Sequence, residues 1–414
     1  MIGFVGMTHL GLNMAIGTAL KGYDVFCFDE DNDLVRDLKS GKINIDEPGL
    51  KDSLQKEKKK IVFTNLIEDL NKCYLIYVSP DIDTDNEGNS NLSYIKNLIK
   101  FMDTKIAKKI PFAILSQVPP GFTSSLNLER ECYYQVETLI FGQALDRATN
   151  PERIIVGSKN KNISEKYRKF LNKFTRNIII MNLESAELAK ISINCFLMSS
   201  VTTSNSLAQI CEEIGADWPD IVKALKLDKR IGKFAYLEPG LGISGGNLER
   251  DLSTIIKLSK RLGTFNDTFK SWKRNSIYRK DWVLNLLNKK VLTKFEKPKI
   301  AIWGITYKEN THSVKNSPSI NLLEKIYKFE LKIFDPLVNQ VSINNNIFRC
   351  EKDPLACIQN ADVLCIMNKW QIFKDIPMKI LEKQMKNKII IDPLSVITKN
   401  KQIKNIKIYT MGKK

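Results

Sequence analysis

The chain opens MIGFVGMTHLGLNMAIGTALKGYDVFCFDED over residues 1–31. The apolar start at 1–6 predicts a short strand, 11–20 a helix and 23–28 a second strand, a β-α-β opening. Between the first strand and the helix stands Gly6-Met7-Thr8-His9-Leu10-Gly11, the position and spacing of a dinucleotide fingerprint. Gly6 makes the tight turn and Gly11 admits close helix–strand packing. Thr8 replaces the middle glycine, and its side chain would either crowd a pyrophosphate or hydrogen-bond to it. Gly6, Thr8, His9, Leu10 and Gly11 are therefore candidate cofactor-binding residues. Asp29 ends the second strand, where an acid accepts from adenine-ribose hydroxyls. Glu30 and Asp31 beside it would repel a 2′-phosphate, so the pattern points to NAD rather than NADP.

Working outward, strand–helix alternation continues to about residue 180, with strands expected at 74–78, 112–116 and 154–156 and a helix at 92–102. That is the pattern of a parallel, doubly wound sheet. Residues 184–214 stay helical in pattern without proline or internal glycine and stop at Gly215. Such a helix is about 45 Å long, more than one small domain needs, and reads as a spine and a dimer surface. Helices at 251–261 and 281–289 follow. Alternation restarts near Lys297, with strands at 300–303, 331–334, 363–367 and 388–392 and a helix at 319–329. The expected architecture is α/β: two Rossmann-like doubly wound domains, 1–182 and 295–414, joined by a central helical domain, 183–294.

Composition narrows the function. With 43% hydrophobic and 27% charged residues the chain is of ordinary globular type. No apolar run spans a membrane and no export signal precedes the first strand, so a cytoplasmic protein is expected. The eight cysteines are scattered without a CxxC pair, which fits small core residues in a reducing compartment. The net charge of +18 is spread along the chain, which favours a solvated lysine-rich surface over nucleic-acid binding and would also draw in an acidic small molecule. Two histidines leave no room for a multi-histidine metal site, and none is expected. A general base must be Lys, Glu or Asp.

Lys190 and Asn194 lie four apart on one face of the long helix, where a partly shielded lysine can exchange a proton with a hydroxyl and an amide can hold the same oxygen. From here the chain resembles the UDP-glucose/GDP-mannose dehydrogenase family almost throughout. The matching stretches are Glu47-Pro48-Gly49-Leu50; Ser116-Gln117-Val118-Pro119-Pro120-Gly121; Glu137-Thr138-Leu139 with Gly142, Ala144 and Asp146; Asn150-Pro151-Glu152-Arg153; Arg230-Ile231-Gly232; Gly240 to Asp251; and Tyr307-Lys308-Glu309-Asn310-Thr311 with Ser317-Pro318. The resemblance implies a homodimeric NAD enzyme acting on a nucleotide sugar. It assigns Val118 and Pro119 to the cofactor, and Gly240, Gly242, Gly245, Lys308 and, across the dimer, Arg230 to the substrate. Lys190, Asn194, Glu137 and Asp251 become catalytic, Glu137 in proton transfer and Asp251 in orienting water.

The departures from that pattern cluster at the chemistry. Asn247 stands where the family carries the nucleophilic cysteine of its second oxidation, and an amide forms no thiolate-like anion. Gln117, Ser200, Ser206, His312, Ser313, Lys315 and Leu394 depart as well. The pair for a first oxidation is thus present and the thioester machinery altered. The expected function is NAD-dependent oxidation of a nucleotide sugar of the UDP-hexose 6-dehydrogenase kind, either the full oxidation in an enzyme that tolerates Asn247 or, chemically better supported, one that stops after two electrons. The alternatives are a catalytically silent NAD- or nucleotide-sugar-binding relative and an NAD-dependent epimerase.

Overall fold

The computed structural model describes residues 1–85, 88–397 and 405–414. It separates into two compact units, Met1–Ile193 and Asn194–Lys414, and the division falls inside the helix Leu183–Ile214.

The first unit is built on eight strands: β1 (Ile2–Val5), β2 (Val25–Phe28), β3 (Ile61–Thr64), β4 (Ile76–Val78), β5 (Phe112–Ile114), β6 (Cys132–Gln135), β7 (Ile154–Ser158) and β8 (Ile178–Met181). Their order is β3-β2-β1-β4-β5-β6-β7-β8. Helices cover both faces, so the strands are continuous apolar runs with two separate cores, one around Phe4, Tyr77 and Tyr133 and one around Ile76, Phe112 and Tyr134. The expected all-parallel sheet needs one correction, because β6 and β7 pair antiparallel. The segment between them does not cross the sheet. It packs the short helix Ala144–Thr149 against the helix His9–Leu20 and returns from the same end. Glu137 therefore leaves β6 at the carboxyl edge of the parallel strands, where the fingerprint also lies. Strands β3, β6 and β8 are absent from the sequence reading. β3 follows the Lys58–Lys60 run directly, and β8 is a half-exposed edge.

The second unit begins with the rest of the long helix and continues through helices Trp218–Leu227, Asn247–Arg261, Asp267–Lys280 and Trp282–Leu287. Its sheet contains β9 (Lys299–Trp303), β10 (Glu330–Phe334), β13 (Val363–Ile366), β14 (Ile389–Ile391) and β15 (Lys407–Tyr409), with a separate hairpin of β11 (Gln340–Ile343) and β12 (Asn346–Arg349). The order β10-β9-β13-β14-β15 is parallel throughout. Strand order reverses at β9, so the crevice beyond the ends of β9 and β13 is a ligand site by topology. Among the described residues no helix is long and apolar enough to cross a membrane.

Candidate active site

At the fingerprint, a Cβ on Gly11 would sit 1.9 Å from the main-chain oxygen of Gly6, so no other residue allows the helix to start this close to the turn. Thr8 is the N-cap residue of the helix His9–Leu20, and it makes no side-chain cap bond. Its hydroxyl donates instead to the main-chain oxygen of Ser79 at 3.3 Å. That answers the question its replacement of glycine raises: the side chain is tied to the sheet and leaves the helix N-terminal amides to an anion. Asp29 accepts from the amides of Met7 (2.7 Å) and Asp31 (3.0 Å), which fixes its carboxylate beside the turn. Asp31 caps the next helix through the amides of Asp33 and Leu34. These residues fit the diphosphate and ribose of a dinucleotide. Leu10 and Val118 are buried, the latter in the turn that Pro119 continues. That turn is held by Glu187, a buried acid of the long helix accepting from the amides of Gly121 (2.5 Å) and Thr123 (2.8 Å). Burial raises the Glu187 carboxyl above the usual range. Sequence reading passes over Glu187, whose only signal is its spacing of three and seven residues from Lys190 and Asn194, which puts it on their face of the helix.

Also in the first unit, Lys190 is brought to Glu137. Its Nζ donates to Oε1 at 2.7 Å and to the main-chain oxygen of the same residue at 2.8 Å. Both side chains are mostly shielded from water. A lysine and a carboxylate in this contact can pass a proton between them and onward to a bound hydroxyl.

In the second unit, the Asn194 amide donates to Oδ2 of Asp251, which is itself buried. Arg250 stands 3.6 Å from the other oxygen of that carboxylate. Asp251 therefore orients Asn194. Asn247 is exposed at the start of the helix Asn247–Arg261, and its Oδ1 accepts from Nη2 of Arg250 at 3.3 Å. Arg250, which links the two, lies in the matched stretch 240–251 but is given no role by the sequence reading. Cys195 packs with Met198, Ile243 and Leu252, and burial pushes its thiol up to about 11, so it offers no thiolate near neutral pH.

The glycine segment is held as a rigid loop. The amide of Gly240 donates to Oδ1 of Asn205, and that of Ile243 to Oγ of Ser276, both at 2.8 Å. Gly242 has φ +79°, and a Cβ there would come within 2.4 Å of the Ser276 main-chain oxygen. Gly245 lies against the ring of Tyr307, next to Lys308, whose Nζ is 5.9 Å from the same ring. Arg230 is not part of this cluster. Its side chain is 89% exposed and pairs with Asp228 in its own turn. A separate cleft of about 410 Å³ is lined by Trp218, Leu237, Lys223, Lys369, Lys374 and the 393–396 turn that follows β14. An apolar floor with a lysine rim suits a base and an anion, and the sequence reading does not foresee it. Among the described residues no group of acids, cysteines and histidines is arranged to hold a metal ion.

The profile of the UDP-glucose/GDP-mannose dehydrogenase family, NAD binding domain, matches residues 1–175. The central domain of the same family matches 184–275, and its UDP binding domain matches 301–399. A UDP-glucose 6-dehydrogenase of Rickettsia bellii is 28% identical over 440 residues, covering 100% of this chain and 99% of that protein. One from Pseudomonas aeruginosa is 23% identical, covering 94% and 92%. Among solved structures, a UDP-glucose dehydrogenase from Pyrobaculum islandicum shares the fold with a TM-score of 0.85 at 22% identity, covering 100% of this chain and 97% of its own. A UDP-D-ManNAc dehydrogenase from Pyrococcus horikoshii also superposes at 0.85, with 21% identity and 99% of each chain. With three domain profiles of one family matched in order along its length, this chain belongs to the UDP-glucose/GDP-mannose dehydrogenase family, as a nucleotide-sugar dehydrogenase with an NAD-binding domain.

Proposed function

We propose that this enzyme removes two electrons from a carbinol of a nucleotide-activated hexose, most simply a UDP-hexose, and releases the carbonyl product without a covalent intermediate. NAD, when bound, supplies the acceptor for the carbinol C–H, so one alcohol and one NAD give one carbonyl, one NADH and one proton. Lys190 takes the hydroxyl proton and Glu137 stands at 2.7 Å to receive it. Asn194, oriented by Asp251, holds the alcohol oxygen. The observation that carries the limit to two electrons is Asn247: an amide bonded to Arg250 occupies the start of its helix, and Cys195, packed in the cluster that includes Leu252 of that helix, is kept a thiol. Backbone groups of Gly240, Gly242 and Gly245, with Lys308, would hold the sugar nucleotide. The experiment is direct: NAD and a panel of sugar nucleotides are incubated with the pure protein, and NADH is followed by absorbance. No NADH with any sugar would favour a silent relative or an epimerase.

The three-domain division 1–182, 183–294 and 295–414 belongs to this reading, supported by the ranges the three family profiles match. So does a homodimer. Phe196, Leu207, Ile210 and Ile214 fall along one face of the long helix at helical spacing, and all are exposed. Arg230, exposed in its turn beside Asp228, would then meet a neighbouring copy by exchanging that partner. A cytoplasmic setting is supported by the eight cysteines, all of them free.

A further inference from the structure

Glu47 follows the helix Asn32–Ser40 in sequence, and its side chain is 1% exposed. One of its oxygens takes both Nε2 of His9, at 3.0 Å, and the amide of Gly142, at 3.1 Å; the other takes the amide of Ala144 at 2.7 Å. His9 is the first residue of the cofactor helix, whereas Gly142 and Ala144 belong to the segment that leaves β6. The ring of Phe141 adds a second contact between them, 4.3 Å from the His9 ring.

That segment is itself braced. Nε of Arg147 donates to the main-chain oxygen of Thr138 at 2.6 Å, and Oε2 of Glu137 accepts from the amide of Leu139 at 2.8 Å. Glu137 then holds Lys190. An unbroken set of contacts thus runs from the fingerprint through Glu47 to the carboxylate that holds the lysine. A buried carboxylate that loses a donor is left poorly solvated, so motion of His9 carries Glu47 with it more readily than it breaks the bond.

We propose that Glu47 is a positioning residue that couples cofactor occupancy at the fingerprint to the conformation of residues 137–147, and through Glu137 to Lys190. The consequence for catalysis rests on the proton-transfer reading of Lys190 and Glu137, but the coupling itself is measurable without turnover.

The test is hydrogen–deuterium exchange of the full chain with and without NAD, with binding followed separately by fluorescence titration. In the wild type, saturating NAD should slow exchange at Gly142 and Ala144 by about fivefold or more, the lower end of ordinary coupling between sites. In Glu47→Gln, NAD should still bind while this slowing falls below about twofold. Glu47→Asp keeps the charge but is one methylene shorter, so it cannot span His9, Gly142 and Ala144 together, and it should behave in the same way. It also carries the test alone if Glu47→Gln does not fold. Slowing equal to wild type in a variant that binds NAD overturns the proposal, as does a wild type whose 138–147 amides ignore bound NAD. Normal coupling in an enzyme whose turnover ignores Lys190 would instead leave the brace standing and remove the proton-transfer reading.

Discussion

Nζ of Lys190 is held from two sides by a single residue, Glu137, through its carboxylate at 2.7 Å and its main-chain oxygen at 2.8 Å. A flexible four-carbon side chain fixed in this way has already lost its rotamer freedom before substrate arrives. The carboxylate contact also gives the lysine somewhere to send a proton.

Lys190→Ala is therefore expected to lower turnover by about two to four orders of magnitude, the range for removing a general acid–base group. Glu137→Gln keeps a hydrogen-bond acceptor but not a proton acceptor, and it should lower kcat by a smaller factor with little change in KM for the sugar nucleotide. Steady-state kinetics of both variants checks this. Unaltered kcat in Lys190→Ala would remove the base from the mechanism.

Cofactor choice follows from Asp29. Its carboxylate is fixed by the amides of Met7 and Asp31, with Glu30 exposed next to it, so a 2′-phosphate would meet fixed negative charge. NAD should bind more tightly than NADP. Asp29→Ala should weaken NAD by about tenfold to a hundredfold, the worth of hydrogen bonds to a charged group. Calorimetric titration with both cofactors decides it, and preference for NADP in the wild type would refute the assignment.

Stability should carry a pH signature from Asp392, at the end of β14. The side chain is fully buried and accepts from the amides of Val396 and Ile397, yet burial still raises its carboxyl from 3.8 to about 6. The folded state therefore holds this proton more tightly than the unfolded chain. The resulting stability is complete below the unfolded value and is lost as pH rises through about 6, at most about 3 kcal/mol for a shift of this size. Asp392→Asn does not titrate, so its denaturant midpoint should vary less than that of the wild type between about pH 4 and 7. Parallel curves for the two proteins would show that the carboxyl titrates normally.

Much of this was legible in the sequence because it depends on local pattern. Gly6 and Gly11 bracket a strand–helix turn at fixed spacing, and the long helix was visible from 184 to 214 against an observed Leu183–Ile214. The antiparallel β7 was not legible, since its apolar run reads the same in either direction. Nor were the parts played by Glu47 and Glu187, which accept from backbone amides far away in sequence, a contact that leaves no periodicity. Arg250 lies in a matched stretch and bonds its neighbour Asn247, but a charged residue near a helix start reads first as a solvated surface position. Lys190 and Asn194 were found as a pair. Their actual partners, Glu137 and Asp251, lie more than fifty residues from them, and only the resemblance placed those two among the site residues.

Asn247 offers the sharpest prediction. Full oxidation to an acid removes four electrons and yields two NADH per sugar; oxidation that stops at the carbonyl yields one. An amide cannot add to an aldehyde to form an intermediate ready for the second step, so the expected stoichiometry is one. Asn247→Ala should keep substantial activity, because its side chain is bonded to Arg250 and would at most orient substrate. Asn247→Cys would place a thiol at the first residue of a fifteen-residue helix, beside Arg250, a setting that favours the thiolate. That variant should raise the yield toward two NADH per sugar. A yield of two from the wild type would sink the two-electron proposal and mean that water captures the aldehyde as its hydrate without a thiol.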